Sequence, residues 1–196
     1  MYLILFVLSC LYLQVMYEIL NGYGSFNNYI TKNFMKSIYL WFLFIAASIF
    51  IIPYEEYNND VIKIFASLYV SNDFMGLIKV KLSLTTKIHH TVSFILLLYS
   101  WTIDFNKNQI AQAILFYTYI SAANFGVNLY LALRFMGNFE WLREKVRFIY
   151  LITFIFNICI QVYLLDTSVN GIYIYSMLIS LIIIDDIFLL KWLYNV

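Results

Sequence analysis

The sequence contains few of the residues that build loops and hydrated surfaces. Its 196 residues include one proline and six glycines, and only 12% are Asp, Glu, Lys or Arg, whereas soluble domains carry about 25%. Hydrophobic residues make up 63% of the chain, and its mean hydropathy is +0.80. This composition excludes a soluble globular protein and an intrinsically disordered one. It predicts an all-α polytopic membrane protein that forms one transmembrane domain over residues 1–196.

The chain also has few cysteines and a net charge close to zero, and both features limit the ligands and partners that we expect. Cys10 and Cys159 lie inside apolar runs, so we interpret them as small core residues and not as a disulfide or a metal site. The formal net charge is +1, which leaves no polybasic patch for nucleic acid. We therefore expect no nucleic-acid partner, no metal and no resident cofactor.

Long apolar runs predict seven transmembrane helices, because a helix needs about 20 apolar residues to cross the hydrocarbon core. The predicted spans are 1–20, 35–53, 61–80, 87–104, 109–134, 147–166 and 172–193. With the N-terminus outside, ten of the twelve Lys and Arg residues fall on the cytoplasmic side, and only Lys63 and Lys107 fall outside. Cytoplasmic loops carry such an excess of basic residues. The sequence thus predicts an external N-terminus and a cytoplasmic C-terminus.

Several polar side chains fall within the predicted spans, where they are costly and usually face the protein interior. They are Glu18, Asp73, His89, His90, Asn124, Asn128, Asn157, Asp185 and Asp186. At about 1.5 Å per residue, those of spans three, four, five and seven lie at similar depth in the cytoplasmic half. Asn124 and Asn128 share one face of span five, and Ser121 extends that face. This pattern predicts a polar site in the cytoplasmic half of the bundle.

Some of these residues have a simpler structural interpretation. Intramembrane asparagine commonly links helices, and we interpret Asn157 in this way. Asp185 and Asp186 are consecutive and point about 100° apart, so we expect at most one of them to face the bundle centre and interpret the pair as structural. Adjacent histidines do not present two ligands to one metal from a single helix face, since helical ligand pairs are usually spaced i, i+4.

The strongest motif is the His-His pair in its surroundings. Residues 88–107 read IHHTVSFILLLYSWTIDFNK, and Tyr69, Ser71 and Asp73 form an aromatic-x-Ser-x-Asp element upstream. Both segments resemble those of the TLC-domain family, which comprises the ceramide synthases and their relatives. The positions alike in the first segment, besides the histidines, are Ser93, Leu97, Ser100, Trp101, Asp104 and Lys107. The resemblance covers residues 69–107 and implies a TLC-like helical barrel that opens to the cytoplasm around the histidines.

The chain departs from the sequence patterns of two enzyme families, the ceramide synthases and the fatty-acid elongases. Ceramide synthases carry acidic residues in the next helix, whereas residues 116–124 contain none, so the chain is more similar to divergent TLC proteins that concern membrane lipid composition. Residues 124–128 are also similar to the Asn-x-x-Val-His element of fatty-acid elongases, with Asn128 in place of the histidine. Thr86 stands where elongases carry the first histidine of His-x-x-His-His. We rank the elongase resemblance below the TLC resemblance.

These observations lead to a hypothesis of acyl transfer from acyl-CoA to a membrane lipid acceptor. A histidine would act as general base or nucleophile, an aspartate would orient it, and an asparagine amide would stabilise the oxyanion. The predicted catalytic residues are His89, His90 and Asp73, and the predicted substrate-binding residues are Ser93, Ser121, Asn124 and Asn128. Acyl-CoA would be a co-substrate and membrane lipids the partners.

Other functions remain open at this point. The main alternative is a non-catalytic transmembrane subunit that binds lipid or scaffolds a larger membrane complex, and a homodimer is a further assembly to consider. Lesser alternatives are an elongase-like enzyme and a transporter that uses Asp73 with Asp185 and Asp186. The expected location is an integral membrane protein of the endoplasmic reticulum, with an organellar or viral membrane as the alternative.

Overall fold

The computed structural model describes residues 1–165 and 170–195, and this part of the chain folds into eight α-helices without a β-strand. They are α1 (Tyr2–Asn21), α2 (Asn28–Phe50), α3 (Asn59–Lys79), α4 (Leu84–Ser100), α5 (Gln109–Ala122), α6 (Phe125–Leu133), α7 (Glu140–Leu164) and α8 (Ile172–Asn195). The all-α prediction is confirmed.

Polar caps fix the starts of four helices. The side chains of Asn27, Asn58, Ser83 and Asn108 accept hydrogen bonds from backbone N–H groups in the first turns of α2, α3, α4 and α5. Such caps satisfy donors that a helix start otherwise leaves unpaired. Short polar segments between apolar runs therefore set where these four helices begin.

The first helices alternate in direction between two ends of the bundle. At one end, Asn28 at the start of α2 bonds to Asn21 at the end of α1 (2.5 Å) and to the carbonyl of Lys79 at the end of α3 (2.9 Å). At the opposite end, Tyr2 near the start of α1 donates a hydrogen bond to Asp60 at the start of α3. We call the first of these the basic end, because it carries the basic residues of the α3–α4 and α6–α7 segments.

The later helices continue this alternation. Near the basic end, Leu193 of α8 packs in one cluster with Val127 of α6 and Val146 of α7. At the opposite end, Gly171 just before α8 lies close to Ile110 at the start of α5. With α5 and α6 counted as one interrupted pass, the described chain runs between the two ends seven times.

All helices except α1 close into a ring. Around the ring the order is α2, α3, α4, α8, α7 and the α5–α6 pair, which packs back against α2. α1 lies outside the ring against α2 and α3. Its buried residues are Phe6, Ser9, Leu13 and Tyr17, and Ser9 Oγ lies 2.7 Å from Ser71 Oγ of α3. The ring can therefore enclose an interior to which α1 contributes nothing.

Several helices are compatible with an integral membrane protein. α1, α2, α3, α7 and α8 are each long and apolar enough to cross a membrane, and the α5–α6 pair, bent by 42°, makes a sixth candidate. α4 corresponds to the predicted span 87–104, but it has only 17 residues and falls just short of this length. The described chain thus has five or six candidate spans.

The interruption between α5 and α6 corrects the prediction of one continuous span over 109–134. The N–H groups of Ala123, Asn124 and Val127 bond to carbonyls three residues back, which tightens the backbone and redirects the chain. Gly126 follows directly and lies against Val146 of α7. The stretch is apolar overall and contains no proline, so its mean hydropathy alone does not reveal the bend.

Two helix starts also differ from the prediction. α2 begins at Asn28 and not at residue 35, so Lys32 lies inside the helix and not in a loop. α7 begins at Glu140 and not at residue 147, so Arg143 and Lys145 lie in its first turns. The predicted end of this span, at Asp166, lies outside the described residues.

Many large apolar side chains are exposed on the outer surface, which is compatible with a surface that faces lipid. Cys159 is exposed among them, on the outward side of α7, while Cys10 is half-buried. The prediction that both cysteines are core residues is therefore wrong for Cys159. An apolar run in a membrane helix contains both inward-facing and lipid-facing positions, and composition does not separate them.

The close contact at Gly126 gives a test of the α6–α7 interface. A Cβ atom at this position would lie 2.9 Å from Val146 Cγ1, so we expect Gly126→Ala to destabilise the protein by about 1–3 kcal/mol. Thermal unfolding in detergent measures the effect. Gly24→Ala is the matched control, because nothing lies within 4 Å of that position.

The added variant Val146→Ala should recover stability in the Gly126→Ala background, because it removes the methyl group that the new Cβ meets. Equal melting temperatures for the wild type and Gly126→Ala would contradict the tight approach of α6 to α7.

Candidate functional site

The ring encloses a polar chamber of about 520 Å³. Residues from every helix except α1 line it, and it lies in the half of the bundle nearer the basic end. Its charged and imidazole side chains are Lys32, Lys36, Asp73, His89, His90, Asp185 and Asp186. A concave interior with convergent polar groups is the usual form of a ligand site, so we take this chamber as the candidate functional site.

A buried charged chain connects three helices at the chamber wall. Asp73 of α3 holds Lys36 of α2 at 2.8 Å through Oδ2 and lies 2.9 Å from Nδ1 of His90 of α4 through Oδ1. All three side chains are 6% exposed or less. Because both oxygens of Asp73 are used, the imidazole of His90 is held by its Nδ1 atom. Among the described residues, neither ring nitrogen of His90 has a partner with hydrogen-bond geometry, so Nδ1 meets Asp73 as a close ion-pair contact and Nε2 is buried without a partner at the chamber wall.

Tyr69 completes the surroundings of Lys36. The ammonium donates a hydrogen bond to the Tyr69 carbonyl at 3.2 Å and lies 3.9 Å from the centre of the Tyr69 ring. A cation over an aromatic face is stabilised by the ring, most strongly where water is excluded. Lys36 therefore has three partners, and these contacts hold its ammonium group in place in the chamber.

His89 forms a second histidine–carboxylate pair beside the first. Its Nδ1 atom lies 3.2 Å from Oδ2 of Asp185 in α8, and Oδ1 of Asp185 accepts a hydrogen bond from Thr86 at 3.1 Å. The rings of His89 and His90 are 5.5 Å apart. Each histidine thus has its Nδ1 atom beside a carboxylate from a different helix, the arrangement in which a carboxylate can orient an imidazole.

Asp186 joins α8 to the α5 and α7 side of the chamber. It accepts hydrogen bonds from Tyr117 of α5 at 2.5 Å and from Tyr150 of α7 at 2.8 Å. Asp185 and Asp186 therefore both line the chamber, and the prediction that at most one faces the bundle centre is wrong. Although the two side chains diverge around the helix, the chamber is wide enough to reach both.

The amide residues lie along the α5–α6 and α7 side. Asn124 accepts a hydrogen bond from Thr153 at 2.7 Å, and Asn157 donates one to Ser121 at 3.1 Å. Asn157 thereby links α7 to α5, in keeping with its interpretation as a helix link. The residues Ser121, Asn124, Asn128 and Asn157 all line the chamber.

An apolar pocket adjoins the chamber on the side away from the basic end. Three residues, Tyr69, His89 and Tyr117, line both cavities. From this junction the pocket, of about 90 Å³, extends between α2, α3, α4, α5 and α8 towards the buried Phe105. Ser93 lines this pocket and not the polar chamber. The interior therefore has a polar half and an apolar half that meet at His89.

The structure brings most of the predicted site residues into one place. His89, His90 and Asp73 line the polar chamber together with the predicted Ser121, Asn124 and Asn128, while Ser93 lies in the adjoining pocket. Among the described residues, no group of three His, Cys, Asp or Glu side chains is arranged to hold a metal ion.

Sequence reasoning missed the two buried lysines. The positive-inside rule places Lys32 and Lys36 only on the basic side of the membrane, yet they are 7% and 5% exposed inside the ring. Their spacing of four residues, after the cap at Asn27, is the signal that would have placed both on one face of α2. Comparisons of this chain with protein-family models, with curated proteins and with solved structures give no match.

The Lys36–Asp73 pair gives a test of the site as a structural unit. Lys36→Met leaves Asp73 without its ammonium partner, and we expect a loss of about 3–5 kcal/mol, as for other broken buried pairs. Thermal unfolding in detergent measures this loss. Lys107→Met is the matched control, because Lys107 is 84% exposed in its pair with Asp104 and such pairs contribute about 1 kcal/mol or less.

The double variant Lys36→Met/Asp73→Asn should regain part of the lost stability, since it removes the uncompensated charge. If Lys36→Met is as stable as the wild type, the buried ion pair does not hold α2 to α3.

Proposed function

We propose that this chain is a TLC-like integral membrane acyltransferase of lipid metabolism, which transfers an acyl group from acyl-CoA to a membrane lipid acceptor. The observation that carries the proposal is the position of His89, which lines both the polar chamber and the apolar pocket. The thioester carbonyl of acyl-CoA joins a polar CoA group to an apolar acyl chain. A junction between a polar and an apolar cavity can therefore accommodate both sides of this carbonyl. The sequence resemblance over residues 69–107 supports the same chemistry.

The apolar pocket suits an acyl chain. It follows α4 from His89 to Ser100, which is about 16 Å at 1.5 Å per residue. Its lining consists largely of aliphatic and aromatic side chains, which exclude water and favour a hydrocarbon ligand. With the chain in this pocket, its carbonyl group would lie at the histidines.

The chemistry needs a base, and His90 has the geometry of one. Its Nδ1 atom lies 2.9 Å from Asp73 Oδ1, and its Nε2 atom would take the proton of the acceptor's hydroxyl or amine. The acceptor oxygen or nitrogen then bonds to the thioester carbonyl carbon, and the carbon–sulfur bond breaks. The CoA thiolate leaves and receives the proton from the imidazolium. His89, held by Asp185, would position the thioester.

An amide donor would stabilise the negative charge that develops on the carbonyl oxygen. Asn124 uses its oxygen to accept from Thr153, and its NH₂ group stays available for donation. Asn128 lines the same wall. Preorganised donors of this kind commonly supply a large part of the rate enhancement of acyl transfer.

We further propose that all seven passes cross the membrane, with the N-terminus outside and the basic end in the cytoplasm. The basic residues of the α3–α4 and α6–α7 segments favour this orientation. It opens the polar chamber towards the compartment that holds acyl-CoA, and it fits an endoplasmic reticulum membrane. α4, with 17 residues, spans if the bilayer thins locally or its flanking residues extend to the interface.

Cysteine labelling tests this topology at α4. In a Cys10→Ala/Cys159→Ala background, Lys81→Cys and Lys107→Cys place single thiols on exposed residues at either side of α4. We expect a membrane-impermeant maleimide to label position 81 only from the cytoplasmic side and position 107 only from the opposite side. Labelling of both positions from one side would show that α4 does not cross.

The activity is tested with the purified protein, a mixed acyl-CoA pool and long-chain alcohol and amine acceptors, with products read by mass spectrometry. We expect product formation by the wild type and a loss of about 10²–10⁴-fold in His90→Ala, the usual contribution of a general base. Thr91→Ala is the matched control, because Thr91 is exposed on the same helix turn and bonds only to the carbonyl of Lys87.

Equal, background-level signals from the wild type and a folded His90→Ala would overturn the acyltransferase proposal for these substrates. The non-catalytic alternative, a lipid-binding or scaffolding subunit, would then account for the same interior. Such a subunit is expected to retain lipid through purification and to be isolated in a stoichiometric membrane complex.

A further inference from the structure

Lys32 is a charged side chain of the chamber to which the proposed mechanism gives no role. It lies one helical turn nearer the basic end than Lys36, lines the chamber and is 7% exposed. Its methylene stem lies against Gly76 of α3, where an added Cβ would be 3.3 Å from Lys32 Cε. The absence of a side chain at Gly76 thus leaves room for the stem inside the ring.

The carboxylates of the chamber are already occupied by other partners. Each of their six oxygens lies within 3.2 Å of one polar atom: Asp73 with His90 and Lys36, Asp185 with Thr86 and His89, and Asp186 with Tyr117 and Tyr150. Each carboxylate of the chamber is therefore held in place by polar groups other than Lys32.

Lys32 lacks a comparable partner. Its ammonium can donate three hydrogen bonds, and the bond recorded for it goes to Asn33 Oδ1 at 3.5 Å. Within the described parts of the chain, no carboxylate oxygen lies within 4.0 Å of its Nζ atom. An ammonium group buried without an anion in direct contact is unfavourable. The site is thus suited to an anion that the chain itself does not supply.

We propose that Lys32 recognises the anionic headgroup of the acceptor lipid, a phosphate close to the hydroxyl or amine that is acylated. The inference rests on the proposed function and names its acceptor class. Lys32 is about 6 Å along α2 from Lys36, which contacts the Asp73 that orients His90. The anion and the reacting group must therefore be close neighbours in one molecule. In acyl-CoA, the phosphates are separated from the thioester by the whole pantetheine arm.

Equilibrium binding in detergent, without acyl-CoA, tests the headgroup. The probe is radiolabelled 1-oleoyl-lysophosphatidic acid, and 1-oleoylglycerol, its uncharged counterpart, CoA and inorganic phosphate serve as competitors. For the wild type, we expect lysophosphatidic acid to bind at least tenfold more tightly than oleoylglycerol. Lys32→Met should reduce this ratio to near one, and Lys32→Arg should keep most of it. Lys81→Met is the matched control, because it removes an exposed lysine at the same end and should leave the ratio unchanged.

The competitors distinguish the source of the anion. Displacement of the probe by unlabelled lysophosphatidic acid, with little effect of CoA or inorganic phosphate at equal concentration, supports a lipid headgroup. Displacement by CoA or phosphate with equal potency would overturn the proposal, as would an unchanged headgroup preference in Lys32→Met. Melting temperatures check folding, and we expect Lys32→Met to melt at or above the wild-type temperature, because it removes an unpaired buried charge.

Binding and turnover are read separately, so the two proposals fail in different ways. Headgroup preference that depends on Lys32, with no acyl product from any substrate, would overturn the acyltransferase and retain the lipid class. Acyl products formed equally from charged and uncharged acceptors, in the wild type and in Lys32→Met, would retain the acyltransferase and overturn the role of Lys32.

Discussion

The interior of this protein depends on the ion pair between Lys36 and Asp73. It joins α2 to α3, and through His90 it extends to α4, so three consecutive members of the ring share one buried charged chain. Each of these charges alone would be too costly in a low-dielectric interior. Together they hold the side chains that a reaction would need, and the same contact that closes this side of the ring also fixes the orientation of the imidazole.

The two halves of the cavity follow from where polar residues occur along each helix. The charged and amide side chains occupy the turns near the basic end, and mostly aliphatic and aromatic side chains occupy the remaining turns of the same helices. Tyr69, His89 and Tyr117 stand at the boundary. Tyr117 suits this position because its ring is apolar and its hydroxyl is held by Asp186.

Much of this arrangement could be predicted from hydropathy and from the rarity of polar residues within apolar runs. The helices and a polar site in one half of the bundle follow from these two signals. The buried lysines do not, because the positive-inside rule assigns a lysine near a span end to the interface unless the helix start is known. Asn27 moves that start to Asn28 and turns Lys32 into an interior residue. The bend before α6 has no proline to mark it, and the membership of the ring depends on packing between helices far apart in the sequence.

Because α1 lies outside the ring, the amino-acid sequence of this helix can vary more freely than that of the others. α1 buries only Phe6, Ser9, Leu13 and Tyr17, at spacings of three and four residues that form one narrow stripe against the ring. Cys10, Met16 and Leu20 pack partly against the ring and widen this stripe, and the exposed faces of α1 need only be apolar enough for lipid. Among related sequences, we expect nearly any hydrophobic residue to be accepted outside this stripe, whereas the six other passes are constrained on the faces that enclose the interior.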